Sequence, residues 1–231
     1  MTILRSAVAL ALAAALGACA NLSAEAPLFS VADQIGPSPL VEGVWIALGE
    51  NCPERNLSRR RFPQECSPIE IDRLPDGAWR ARYRVDLATG LTREERERAE
   101  ADAARIMRLI VVPAVERQDS EAYAPLYVAE SAPQSADDRV SYYVIVPQGT
   151  LPAESILLLS GIGCADALRE GPIAGVTEQY TERVDELGVA HQDLTGCVAS
   201  SQAAVREAAR RAVIENLATL FNTRYARVAR R

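Results

Sequence analysis

Five cysteines, one histidine and a few arginine clusters carry whatever chemistry this 231-residue chain offers. The sharpest arrangement is Cys164, in Gly161-Ile162-Gly163-Cys164, just past the apolar run Ile156-Leu157-Leu158-Leu159. A thiol presented at the end of a buried strand suits a cysteine hydrolase, with His191 as base and Asp185 or Asp193 orienting it. Against this, Cys197 offers Cys164 a disulfide partner, and an oxidising compartment disfavours unpaired thiols. No G-x-S-x-G, H-E-x-x-H or phosphate-loop pattern is present. The leading expectation is therefore a non-enzymatic binding or assembly module that meets an envelope protein or polysaccharide, with the Cys164–His191 hydrolase as the alternative.

The N-terminus supplies a second kind of chemistry. Met1 to Arg5 is positively charged, Ala7 to Leu16 is an unbroken apolar run, and Gly17 and Ala18 are small. This pattern is that of a signal peptide, too short for a stable membrane span. Leu16-Gly17-Ala18-Cys19 resembles a bacterial lipobox, which implies a diacylglyceryl group on the Cys19 thiol and cleavage before it. Two or three acyl chains anchor a protein stably where one does not. Ala20 and Asn21 follow with no aspartate, which by the same resemblance favours the outer membrane and a periplasmic location. The expected organisation is a signal peptide over 1–18, a lipidated tether over 19–27, and a single periplasmic domain over 28–231.

Cys52, Cys66, Cys164 and Cys197 remain, and an even number in an exported chain suggests two disulfides. Four cysteines allow three connectivities. Local pairing, Cys52 with Cys66 and Cys164 with Cys197, closes loops of about 15 and about 34 residues, worth about 3 and about 4 kcal/mol by chain entropy. Zinc lacks the short C-x(2-4)-C spacing. Asp137-Asp138 lacks the surrounding oxygen ligands of a calcium loop. Neither a metal nor a cofactor is expected.

All 25 cationic residues are arginine, and the net charge is −6. Basic residues scattered among acids do not make the concentrated face that a nucleic-acid binder needs. Two local clusters stand out. Arg59-Arg60-Arg61, beside Phe62 in the Cys52–Cys66 loop, could meet a phosphate on lipid or polysaccharide, although such runs are usually solvated. Arg80, Arg82 and Arg84 form a stripe at strand spacing that could grip a polyanion or keep the face soluble.

The elements that must position these residues follow from periodicity. Gly43 to Leu48 reads as a strand. Ile69-Glu70-Ile71 and Ala78 to Leu87 form a hairpin about Pro75-Asp76-Gly77, with Trp79, Ala81, Tyr83, Val85 and Leu87 on one face. Thr92 and Glu95 stand in capping-box register at the start of a charged surface helix of about 14 residues. Met107 to Val112 is a buried strand. Leu126 to Glu130 and Val140 to Val146 form a second hairpin, and Ile156 to Leu159 a central strand. Val176, Tyr180, Val184 and Leu187 fall at near-helical spacing, with a strand as the other reading. From Ser201 to Phe221 the apolar residues line one face of a packed helix, and Arg224 to Arg231 should fray. The fold class expected is α+β: a mainly antiparallel sheet, a surface helix and a packed C-terminal helix.

Leu28-Phe29-Ser30 leads through Asp33, Pro37 and Leu40 to Gly43-Val44-Trp45; two cysteines then flank a loop, and Gly196-Cys197-Val198-Ala199-Ser200 precedes an Ala-rich helix. This pattern resembles a group of uncharacterised lipoproteins of GC-rich, mainly alphaproteobacterial bacteria. The resemblance covers the two ends better than the middle, and it implies an envelope location and no particular activity.

Overall fold

Short strands, some alternating and some apolar on both faces, pair in sequence order to make a closed barrel. The computed structural model describes residues 20–103, 107–114, 126–132, 139–149, 151, 154–159, 161–185, 187–214 and 223–228. In chain order the strands are β1 (Leu22–Ala24), β2 (Gly43–Leu48), β3 (Phe62–Pro63), β4 (Ile69–Arg73), β5 (Trp79–Tyr83), β6 (Ala88–Thr89), β7 (Met107–Pro113), β8 (Tyr127–Ser131), β9 (Val140–Gln148), β10 (Ser155–Leu159), β11 (Val176–Val184), β12 (Ala190–Ala199) and β13 (Thr223–Arg227). The helices are α1 (Arg93–Ala103), α2 (Cys164–Ala167) and α3 (Gln202–Ile214).

Eight strands, β2, β4, β5, β7, β8, β9, β10 and β13, pair antiparallel in chain order, each with the next. β13 then returns to β2, with Tyr225 opposite Ala47, and closes the ring. Closure leaves these eight strands without an exposed edge. The mainly antiparallel α+β architecture is as expected, whereas nothing in the local pattern announced a barrel.

Register sets what points inward. Trp45 faces Ile69, Ile71 faces Ala81, Trp79 faces Leu109, Val111 faces Ala129, and Ala129 faces Tyr143. These residues, with Tyr127, Ile145 and Ile156, make the interior cluster. The outer wall of β7 to β9 is also apolar, through Ile110, Val112, Val128, Val140, Tyr142 and Val144, because α3, β1 and the end of β12 cover it. Ile46 and Leu48 on β2 are covered by the loop that the Cys52–Cys66 disulfide closes. The outer wall of β4 and β5 is left to solvent.

On that wet wall the arginine stripe is neutralised strand by strand. Register places Arg82 opposite Glu70 and Arg80 opposite Asp72. Arg82 Nε donates to Glu70 at 2.7 Å, Arg80 Nε to Asp72 at 3.0 Å, and Arg84 pairs with Asp86 at 2.7 Å. The stripe keeps the wall soluble and presents no net cationic surface. The β4–β5 turn needs a glycine: Gly77 has φ +89°, and a Cβ there would meet Val31 Cγ1 at 2.9 Å.

Several expectations are corrected. Residues 22–24 are no tether: β1 is wedged between β9 and β12, with Leu22 opposite Cys197 and Ser23 opposite Ser141. Thr223 to Arg227 does not fray but closes the barrel, and Val176 to Val184, whose spacing left both readings open, is a strand. The strand from Trp79 ends at Tyr83, and Val85–Leu87 form a helical turn. The capping box is present, with Thr92 N donating to Glu95 at 2.8 Å and Glu95 N to Thr92 Oγ1 at 3.3 Å. α3 packs as expected to Ile214, and the remainder of the expected helix lies outside the described residues.

Candidate functional site

The two ends of the barrel differ. Across one end runs the segment from Val31 to Val41, stitched to the wall by hydrogen bonds. Tyr127 Oη donates to Pro37 O at 3.1 Å, Trp45 Nε1 to Val41 O at 3.0 Å and Gln34 Nε2 to Gly77 O at 2.9 Å, while Gln34 Oε1 accepts from Val111 N at 3.3 Å. The inward residues beneath it, Trp45, Ile71, Trp79, Val111 and Tyr127, are buried. A cavity of about 30 Å³ between the segment and Arg73, Trp79, Val111 and Tyr127 has room for little more than a water.

At the other end the inward residues are only half-buried: Ile69, Ala81, Tyr83, Met107, Tyr143, Leu158 and Tyr225. An eight-stranded barrel is just wide enough to be filled by its own side chains or to hold one small guest. Here the two tryptophans fill one half, and the other half, the mouth, is lined among the described residues by half-buried apolar and tyrosine side chains. Burial pushes the Tyr143 and Tyr225 hydroxyls upward in pKa, and no hydrogen-bond partner among the described residues offsets it. Burial also raises Tyr83, partly countered by the guanidinium of Arg96. That arginine is presented by α1, whose Arg93 pairs with Glu97 at 2.9 Å and whose Arg98 pairs with Glu94. Arg96 itself makes no ion pair among the described residues. The mouth thus combines an apolar wall, tyrosine hydroxyls and a cation, the groups that suit a guest with an apolar body and an anionic end.

The residues singled out in the sequence are dispersed. Cys19 and Asp137-Asp138 lie outside the described residues. Cys52 is bonded to Cys66 and Cys164 to Cys197, the local pairing. Cys164 therefore offers no thiolate, and the hydrolase constellation is not assembled. His191, on β12, instead donates through Nε2 to Asp185 at 2.9 Å, which holds the Asp185 carboxyl below the usual carboxylate range. Asp193 pairs with Arg183 at 2.8 Å. Arg59, Arg60 and Arg61 are exposed in the loop before β3. No cluster of metal-ligating side chains occurs among the described residues, nor does a helix long and apolar enough to cross a membrane.

Sequence reasoning missed Glu130. It is 2% exposed, and its Oε2 accepts from Leu28 N at 2.8 Å, Phe29 N at 3.1 Å and Tyr142 Oη at 3.2 Å. Burial raises its pKa despite those donors. It faces outward from β8 into the layer beneath α3 and pins the N-terminal segment to the barrel wall. An acid within the strand Tyr127-Val128-Ala129-Glu130-Ser131 was the available signal. No family model, curated protein or solved structure matches the chain.

Proposed function

We propose that this protein is a lipid-anchored envelope module that binds an amphiphile, apolar in body and anionic at one end, in the tyrosine-lined mouth of its barrel. The observation that carries the reading is the gradient of burial along the barrel axis among the described residues: side chains fully buried at the Trp45 end and only half-buried at the Tyr143 and Tyr225 end. Cys19 carries the acyl anchor and the domain faces the periplasm, by the leader pattern and its lipobox. The pairing of all four other cysteines fits an oxidising compartment. The Cys164–Cys197 disulfide takes away the thiol that a Cys164–His191 hydrolase would use, which favours the binding reading over that alternative.

The test uses dansyl-undecanoic acid as probe. Saturable binding with a blue-shifted dansyl emission is expected. Met107→Arg should abolish it, and Arg96→Gln should weaken it about fivefold, the loss of one partly exposed charge contact. Binding that ignores both substitutions refutes the site. Intact mass of the membrane-extracted chain tests the anchor separately, since an unmodified Cys19 removes the lipoprotein reading and leaves the mouth untouched.

A further inference from the structure

Beyond the barrel, β11 and β12 form a hairpin that leaves the body of the protein. Its root is firmly held: Cys197 is bonded to Cys164, β1 pairs alongside, and Ser200 N donates to Gly175 O at 2.8 Å. Past Leu194 it is a two-stranded arm, paired only with itself among the described residues, from Tyr180 opposite Leu194 to Val184 opposite Ala190. The turn is rigidly built, since Asp185 Oδ1 accepts from both Leu187 N and Val189 N at 2.9 Å.

Five large apolar side chains are exposed among the described residues, and four of them are on this arm: Tyr180 at 51%, Val184 at 60%, Leu187 at 88% and Val189 at 52%. The arm's two faces are unlike. Arg183 pairs with Asp193 and the His191 ring is hydrogen-bonded to Asp185, so the polar groups of that side are engaged with one another. The other face alternates Glu178, Tyr180, Glu182 and Val184 along β11, and all four are exposed. The outer edge of β11, unpaired among the described residues, is a template for another strand.

We propose that the β11 edge docks an extended segment of a partner polypeptide in which basic and apolar side chains alternate at every second position, the basic ones opposite Glu178 and Glu182 and the apolar ones opposite Tyr180 and Val184. Charge selects this occupant. From Val176 to Ala199 the arm carries five carboxylates and one arginine. A second copy of the same arm is repelled, and an anionic lipid leaflet is repelled in the same way. Cross-strand pairing rewards opposite charges directly facing each other, which a basic strand supplies. This inference is independent of the barrel mouth.

The probes are three labelled nonapeptides. One is threonine at odd positions with valine, lysine, valine and lysine at even ones; the second replaces lysine by glutamate; the third scrambles the first. Fluorescence polarisation with the full chain should favour the lysine peptide over the glutamate peptide by on the order of tenfold, narrowing with salt. Amide exchange should slow over Val176 to Val184. The double variant Glu178→Lys with Glu182→Lys should reverse the preference, and since both side chains are exposed, the melting temperature should hold. Equal binding of all three peptides, or a preference that survives the double variant, overturns the proposal. So does vesicle binding that depends on Leu187, which would make the arm a membrane contact.

Discussion

Glu130 is the point at which one side chain decides the fate of a whole segment. In Glu130→Ala the backbone donors of Leu28 and Phe29 and the Tyr142 hydroxyl all lose their acceptor. An orphaned buried donor costs about 1–3 kcal/mol. Phe29 is buried and Leu28 only half so, and water relieves part of the debt there, which sets the expected loss at about 3 kcal/mol. Glu130→Gln keeps an acceptor oxygen in place and should cost less than about 1 kcal/mol. The two variants also separate charge from geometry. Burial holds the Glu130 carboxyl above the ordinary glutamate value of about 4.3. The folded chain therefore keeps this proton to a higher pH than the unfolded chain does. The resulting stabilisation is complete below the unfolded pKa and is lost as pH rises through the folded one. The Gln variant does not titrate there, so wild type should lose stability relative to Glu130→Gln as pH is raised from about 4 to about 8. Urea unfolding with intact disulfides, followed by the fluorescence of Trp45 and Trp79, measures both. Equal losses for Ala and Gln, or a wild-type advantage that grows with pH, would refute the reasoning.

Two further outcomes are expected. Replacing Cys52 and Cys66 by serine should cost about 3 kcal/mol, and replacing Cys164 and Cys197 about 4 kcal/mol, on chain entropy alone; calorimetry of the two double variants gives the order, and the second should also loosen the arm, whose root that bond holds. Ala226→Pro removes a backbone donor from the strand that sits between β2 and β10, so the variant should fail to give a cooperative melt, as followed by near-ultraviolet circular dichroism.

What the sequence disclosed was local. The β4–β5 hairpin was legible because Trp79, Ala81 and Tyr83 alternate with arginines beside a Pro-Asp-Gly turn, and α1 because Thr92 and Glu95 stand three apart. The disulfides followed chain proximity. The barrel was not legible, because its closure pairs Tyr225 with Ala47, and such a register leaves no trace in any short window. β13 was further disguised by Arg224 and Arg227, which made a barrel stave resemble a basic tail. In β11, Val176, Tyr180 and Val184 sit four apart, a spacing that satisfies both a helix and every second pair of strand positions. Glu178 and Glu182 occupy the intervening positions of the same face, so no apolar alternation marks the strand and the two readings could not be told apart. The mouth was invisible for the same reason as the ring: Tyr83, Tyr143 and Tyr225 belong to three strands and converge only when the barrel is closed.

That closure also has a history. A chain that emerges N-terminus first, from a ribosome or across a membrane, presents β2 early, and β2 then waits. Seven staves can add in turn, each beside its predecessor, yet until β13 arrives the product is an open sheet with two naked edges, the form most prone to stick to its neighbours. Between the seventh stave and the eighth come α2, the arm and α3, some sixty residues of delay. The few residues that look most dispensable in this chain are therefore the ones that end its exposure to aggregation.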